Sequence, residues 1–156
     1  MKILVLNGPN LNLLGRREPE IYGSQTLDAL NREVAGYVDE RNEVRNLDNQ
    51  VDVQFFQSNH EGVLIDTIQN SPRAYQGVIY NPAGHSHYSI ALRDAIAAVE
   101  TPFVEVHLSD ISTREEFRRH SVMTDVCIGR FMGKGAASYC EALDHLIDYL
   151  DSRQED

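Results

Sequence analysis

Hydrophobic and polar positions fall into two rhythms that alternate along the chain. Five short runs, Lys2–Asn7, Val51–Gln57, Gly77–Tyr80, Phe103–Leu108 and Val122–Gly129, are rich in β-branched or aromatic residues. Most are close to continuously apolar, which suits strands buried on both faces. Between them apolar residues recur at helical spacing. The first set is Leu27, Leu30, Val34, Tyr37 and Val38; the second is Val63, Leu64, Ile65 and Ile68. A third is Ile90, Leu92, Ala95, Ile96 and Val99, and the last runs from Ala136 through Tyr139, Cys140, Leu143, Leu146 and Ile147 to Leu150. Ser58-Asn59-His60-Glu61 has the spacing of a capping box ahead of the second set. A short charged helix is predicted after Ser112-Thr113, Arg41–Gln50 reads as a polar connector, and Asp151–Asp156 as a frayed tail.

Strand–helix alternation of this kind predicts an α/β domain, a parallel sheet with helices on both sides. With 156 residues the chain fits one domain, residues 1–150, followed by the tail. Five strands point to a flavodoxin-like three-layer sandwich with strand order 2-1-3-4-5. In such sheets the ligand crevice lies beyond the carboxyl ends of the strands. The segments that follow strands read Asn7-Gly8-Pro9-Asn10, Ser58-Asn59-His60-Glu61, Asn81-Pro82-Ala83-Gly84-His85-Ser86-His87 and His107-Leu108-Ser109-Asp110. Polar side chains therefore gather at one rim, where loops on a rigid sheet commonly carry function.

Charge narrows the function classes. With 14 basic and 24 acidic residues the net charge is −10, against the basic footprint that nucleic acid or an anionic membrane requires. No stretch approaches a membrane span, and the apolar run Ile3–Leu6 is short for a signal-peptide core. A soluble, cytoplasmic single domain is the expectation. Cys127 and Cys140 are too few and too far apart for a disulfide scaffold or a cysteine zinc site. The only lysines, Lys2 and Lys134, sit at a strand start and between two glycines. Imine catalysis needs a desolvated lysine facing a pocket, and neither position fits.

Several motifs have plain readings. Gly133-Lys134-Gly135 precedes the last helix with no later strand to complete a dinucleotide site, so it reads as helix entry. His85-Ser86-His87 lacks the third ligand and supporting shell of a zinc site, and hydrogen bonding by His87 is the better reading. No metal is expected. Arg93-Asp94 reads as an exposed ion pair, and Arg118-Arg119 as either a solvated helix end or a cationic grip on a carboxylate. The loop Gly15-Arg16-Arg17-Glu18-Pro19-Glu20-Ile21-Tyr22-Gly23 is either a mobile surface loop or a lid. In the second case an arginine beside Tyr22 would favour the phenolate and make a base of it.

Six motifs in order carry a close resemblance to type II 3-dehydroquinate dehydratase that runs from about residue 2 to residue 150. They are Leu6-Asn7-Gly8-Pro9-Asn10-Leu11-Asn12; Gly15-Arg16-Arg17-Glu18-Pro19 with Tyr22-Gly23; Gln57-Ser58-Asn59-His60-Glu61-Gly62; Asn81-Pro82 with His87 and Ala91-Leu92-Arg93-Asp94-Ala95; Glu105-Val106-His107-Leu108-Ser109; and Arg114 through Ser121. The resemblance implies dehydration of 3-dehydroquinate to 3-dehydroshikimate by anti elimination through an enolate, without metal or cofactor. It implies Tyr22 as base, Arg17 as the lid arginine that keeps it ionised, Asn10 as holder of a water against the enolate oxygen, and His107 as acid. It further implies substrate contacts from Asn81, His87, Leu108, Ser109 and Arg118, with Asp94 supplied by a neighbouring subunit in trimers stacked into dodecamers. Asp110 stands where the family usually has Asn, and His85-Ser86 where it commonly has an aromatic residue and Thr.

The residues themselves agree with that chemistry, since an enolate route needs a base, an electrophile for the oxyanion and an acid for the leaving hydroxyl. The alternative is a flavodoxin-like module that binds a small acid or a flavin phosphate without turnover. Such a module has no need of Arg17 and Tyr22 in one loop.

Overall fold

The structure, a computed structural model, describes residues 1–16 and 24–153. Five parallel strands, β1 (Lys2–Asn7), β2 (Asp52–Gln57), β3 (Gly77–Asn81), β4 (Phe103–His107) and β5 (Gly129–Met132), form one sheet in the order β2-β1-β3-β4-β5. Helices α1 (Leu27–Asn42) and α4 (Ala136–Ser152) cover one face, and α2 (Glu61–Ala74) and α3 (Ile90–Ala97) the other. The flavodoxin-like architecture and the strand order are those the apolar pattern predicts.

Side chains alternate across a strand, so an unbroken apolar run divides between two cores. Ile3 and Val5 join Leu30, Val34, Tyr139 and Leu143 on the α1/α4 face. Leu4 and Leu6 join Leu64, Ile68, Leu92 and Ile96 on the α2/α3 face. Central β1 is thus buried on both sides, with Ile3 opposite Val53 of β2 and Gly77 of β3. Edge strand β2 instead alternates between exposed and half-buried positions.

Four local expectations need correction. The fifth strand is not Val122–Gly129 but Gly129–Met132. The preceding apolar stretch is a loop that buries Met123 in the α2/α3 core while a single turn, Thr124–Val126, leads into the strand. The capping box does not form: the Ser58 hydroxyl accepts from the His60 amide (3.0 Å), and Glu61 accepts from the Ser89 hydroxyl (2.5 Å). After Ser112-Thr113 there is no helix but two isolated turns, Ile111–Thr113 and Glu116–Arg118. The last helix passes the expected limit at residue 150 and ends at Ser152. Asp151, placed in the tail by sequence, is gripped by Arg45 through two hydrogen bonds of 2.8 and 2.9 Å.

Candidate active site

The carboxyl ends of β1, β3 and β4 open into a cavity of about 200 Å³. Among its lining residues are Asn10, Asn81, His87, His107, Leu108, Ser109 and Arg118, seven of the ten expected site residues. Tyr22 and Arg17 lie outside the described residues. Asp94, on α3, does not line the cavity; its side chain is 66% exposed and stands 3.7 Å from Arg93.

The first wall is a loop held from both sides. Asn10 has φ 68°, a left-handed conformation that asparagine tolerates better than most residues. Its backbone N–H donates to Asn59 Oδ1 (2.9 Å), which also accepts from Gln57 Nε2 (3.0 Å). Gly8 packs so closely on the neighbouring loop that a Cβ there would lie 2.7 Å from the Pro82 carbonyl oxygen. Glycine is required at that contact, and its N–H donates to the Asn81 carbonyl (2.8 Å).

Asn81 is fixed by a buried network. Its side-chain Nδ2 donates to Tyr139 Oη (2.8 Å), which donates to Asn7 Oδ1 (2.8 Å), while its side-chain Oδ1 accepts from the Ala83 amide (3.0 Å). Burial pushes the Tyr139 phenol up, against a smaller lowering by the Asn81 hydrogen bond, so it stays a proton donor. The turn places Ala83 at φ 51°, a strained conformation for alanine that Asn81 Oδ1 holds in place. Beyond it the two histidines diverge. His85 turns away from the cavity against Tyr88, ring centroids 5.8 Å apart, while His87 lines it. His87 Nδ1 lies 2.9 Å from the His120 carbonyl, and a carbonyl only accepts, so Nδ1 carries the hydrogen. Burial above all, with His107 and Arg118, keeps the His87 pKa below its ordinary value. The ring is therefore neutral with Nε2 as an acceptor.

His107 is set by Glu105, two residues earlier on β4 and so on the same strand face. His107 Nε2 donates to Glu105 Oε1 (2.7 Å), and Glu105 is only 1% exposed. Burial alone would push this carboxyl up. The hydrogen bond and charge of His107, with hydrogen bonds from Ser121 and Thr124, outweigh burial and hold it below the usual carboxylate range. A buried carboxylate of this kind orients the ring and fixes a hydrogen on Nε2.

The last wall is cationic. Arg114 and Arg118 both line the cavity and share Glu115, Nε to Oε2 at 3.3 and 3.5 Å. Guanidinium groups of this kind suit a carboxylate-bearing ligand, which they can hold by paired N–H groups. The Arg118 guanidinium also stacks on Phe117, 4.9 Å from the ring centre. Asp110 accepts from the side chain and backbone of Ser112, which lower its pKa in that order, and so caps a turn without joining the lining residues. Lys134 reaches outward to Glu141 at 2.7 Å. Among the described residues no three His, Cys, Asp or Glu side chains converge as a metal site.

Sequence reasoning assigned no role to Glu105, Arg114 or Asn59. Glu105 had a readable signal, an acid two residues before a histidine in a buried strand. Asn59 had none, because its partner Asn10 is 49 residues away.

Comparison with known proteins agrees with this geometry. Residues 1–147 match the family model of dehydroquinase class II. A 3-dehydroquinate dehydratase of Carboxydothermus hydrogenoformans is 51% identical over 156 residues, covering 100% of this chain and 96% of that protein. The crystal structure of type II dehydroquinase from Butyrivibrio crossotus superposes with a TM-score of 0.86 at 43% identity, covering 94% of this chain and 97% of the other. That from Propionibacterium acnes gives 0.83 at 41% identity, with 94% and 96% covered. A parallel α/β sheet, a histidine–carboxylate pair at its rim and a match along nearly the whole chain lead to one assignment: the chain belongs to the class II dehydroquinase family.

Proposed function

We propose that the chain dehydrates 3-dehydroquinate to 3-dehydroshikimate in the shikimate pathway, by anti elimination through an enolate. The observation that carries this reading is the His107–Glu105 pair, placed so that its imidazole lines a cavity with a neutral His87 and two arginines. In this reading Tyr22, its phenolate stabilised by Arg17, takes the proton α to the ketone. Asn10 holds a water against the enolate oxygen, and such an electrophile is worth about 3 kcal/mol in the transition state. His107 protonates the departing hydroxyl. Asn81, the neutral His87 and the Leu108 and Ser109 amides hold hydroxyls and the carboxylate, with Arg118 supplying charge and Arg114 joining it. Asp94, exposed on its own subunit, reaches the cavity of a neighbour in a trimer, and trimers stack into a dodecamer.

No metal or cofactor enters the scheme, because each step has a side chain to perform it. The two free thiols, Cys127 and Cys140, accord with a reducing compartment, and the reading places the enzyme in the cytoplasm. Among the described residues no helix is long and apolar enough to cross a membrane.

Adding 3-dehydroquinate to the purified protein and following ultraviolet absorbance of the conjugated enone tests the assignment. Steady product formation is expected, with Tyr22→Phe slower by more than about 100-fold while still binding substrate. Absence of enone with the folded wild-type protein overturns the function. Near-normal turnover by Tyr22→Phe removes that residue from the mechanism.

A further inference from the structure

Behind His107 the polar contacts continue in one direction. Glu105 Oε1 accepts from both His107 Nε2 and the Ser121 hydroxyl, and Oε2 accepts from the Thr124 hydroxyl at 2.6 Å. Each hydroxyl is itself oriented by a donor. The Met123 amide donates to Ser121 Oγ (3.2 Å), and Arg130 Nη1 donates to Thr124 Oγ1 (3.1 Å). Since each hydroxyl accepts from behind, its hydrogen is left for the carboxylate. Arg130 lies directly opposite Glu105 in the β4–β5 pairing, so an exposed cation stands at the outer end of the chain of contacts.

We infer that Ser121 and Thr124 are positioning residues for the dehydration: acting through Glu105, they set how tightly the proton of His107 is held. The inference rests on His107 being the acid of the proposed reaction. His107 Nε2–H is spent on Glu105, so the proton delivered to the departing hydroxyl is the one on Nδ1. A buried carboxylate with no other donor would stabilise the imidazolium more strongly and make that Nδ1 proton a worse acid. Two hydroxyls that share the negative charge lessen that stabilisation and leave the Nδ1 proton easier to pass to the departing hydroxyl. Among the described residues, His87 lies close enough to act on His107, Arg130 reaches Thr124, and Cys127 feels the Glu105 charge. The Cys127 thiol is pushed up to about 12, by burial first and then by the Glu105 charge, and remains neutral.

The test is the double variant Ser121→Ala/Thr124→Val, read in two ways. Ring ¹⁵N signals follow the titration of His107 in the resting enzyme, and steady-state kinetics give kcat and KM across pH. The expected result is a titration of the His107–Glu105 pair raised by about one pH unit. Plateau kcat falls about tenfold, its alkaline limb moves upward, and KM stays nearly constant. Thr124→Ser, which keeps the hydroxyl, retains the wild-type limb. A side chain that only supported the loop would lower the folded fraction and leave the titration in place, and an unmoved titration overturns the inference. A raised titration with an unchanged kcat overturns His107 as the acid, and so the link to dehydration, while the hydroxyls keep their hold on the pair. Should the double variant fail to fold, Thr124→Val alone gives the same readings, since Thr124 is only half-buried.

Discussion

Glu105 puts a negative charge where water is excluded, and three groups, His107, Ser121 and Thr124, share the task of keeping it there. Glu105→Gln keeps the shape but removes the charge that favours a protonated His107, so kcat is expected to fall about 10- to 100-fold with little change in KM. The same substitution has a pH signature in stability. Because folding lowers the Glu105 pKa from its ordinary value of 4.5, its ionised form stabilises the native state above that pH. The contribution is lost as pH falls through the lowered value. Thermal melting of wild type and variant, followed from about pH 7 to about pH 3, should show the wild-type advantage shrinking toward acid; a constant gap means the charge is not coupled to folding. At this scale the sequence was partly readable. His107 was legible as one of the polar residues that follow a strand, and its role as acid came from the family resemblance. Glu105 was an acid in a buried strand, but its companions Ser121 and Thr124 lie 16 and 19 residues further on, and no local pattern joins them to it. Tyr22 and Arg17 were legible only as a pairing of a phenol with a cation in one loop.

Among the elements, β1, β3 and β4 were legible because a strand buried on both faces has to be apolar throughout. β5 was misplaced because Val122, Met123 and Val126 meet the same rule as a loop: Met123 reaches the core without joining the sheet. The capping box shows that spacing is not geometry, since Ser58 and Glu61 both found other partners. The end of α4 shows a long-range contact overriding a polar tail. Arg45, in the connector, holds Asp151 in a two-pronged ion pair that is partly solvent-exposed. The Arg45 hydrogen bonds are the main reason that the Asp151 carboxyl lies below its usual range. Arg45→Ala should fray the last turn of α4, speeding amide exchange near Tyr149–Arg153. The cost in stability is about 1 kcal/mol or less after solvent screening, and kcat should be unaffected. Protection unchanged in that turn would mean that the helix end is held by packing alone.

For the whole molecule the critical residue is Asp94, which the described chain leaves in solvent. Tyr22→Phe and Asp94→Ala, each expected to be nearly inactive, can be unfolded together and refolded as a mixture. If Asp94 serves the adjacent subunit, some cavities in mixed oligomers combine an intact Tyr22 from one chain with an intact Asp94 from the next. Activity should then exceed the sum of the two variants refolded separately. No recovery, with mixed oligomers confirmed by mass, returns Asp94 to the surface pair with Arg93. This feature escaped the apolar pattern altogether, because an exposed carboxylate reads the same whether it faces water or a second subunit.

The central position of β1 has a consequence for biosynthesis. Its two neighbours in the sheet are Asp52–Gln57 and Gly77–Asn81, so the strand that anchors the Asn10 loop leaves the ribosome before either partner exists. At about 5–20 residues per second, Ile3 waits roughly 4–15 s for Gly77. During that interval an apolar ribbon with at least one edge open is what a nascent-chain chaperone would meet. A ribosome stalled before residue 52 would release a chain whose central strand has met neither of its partners.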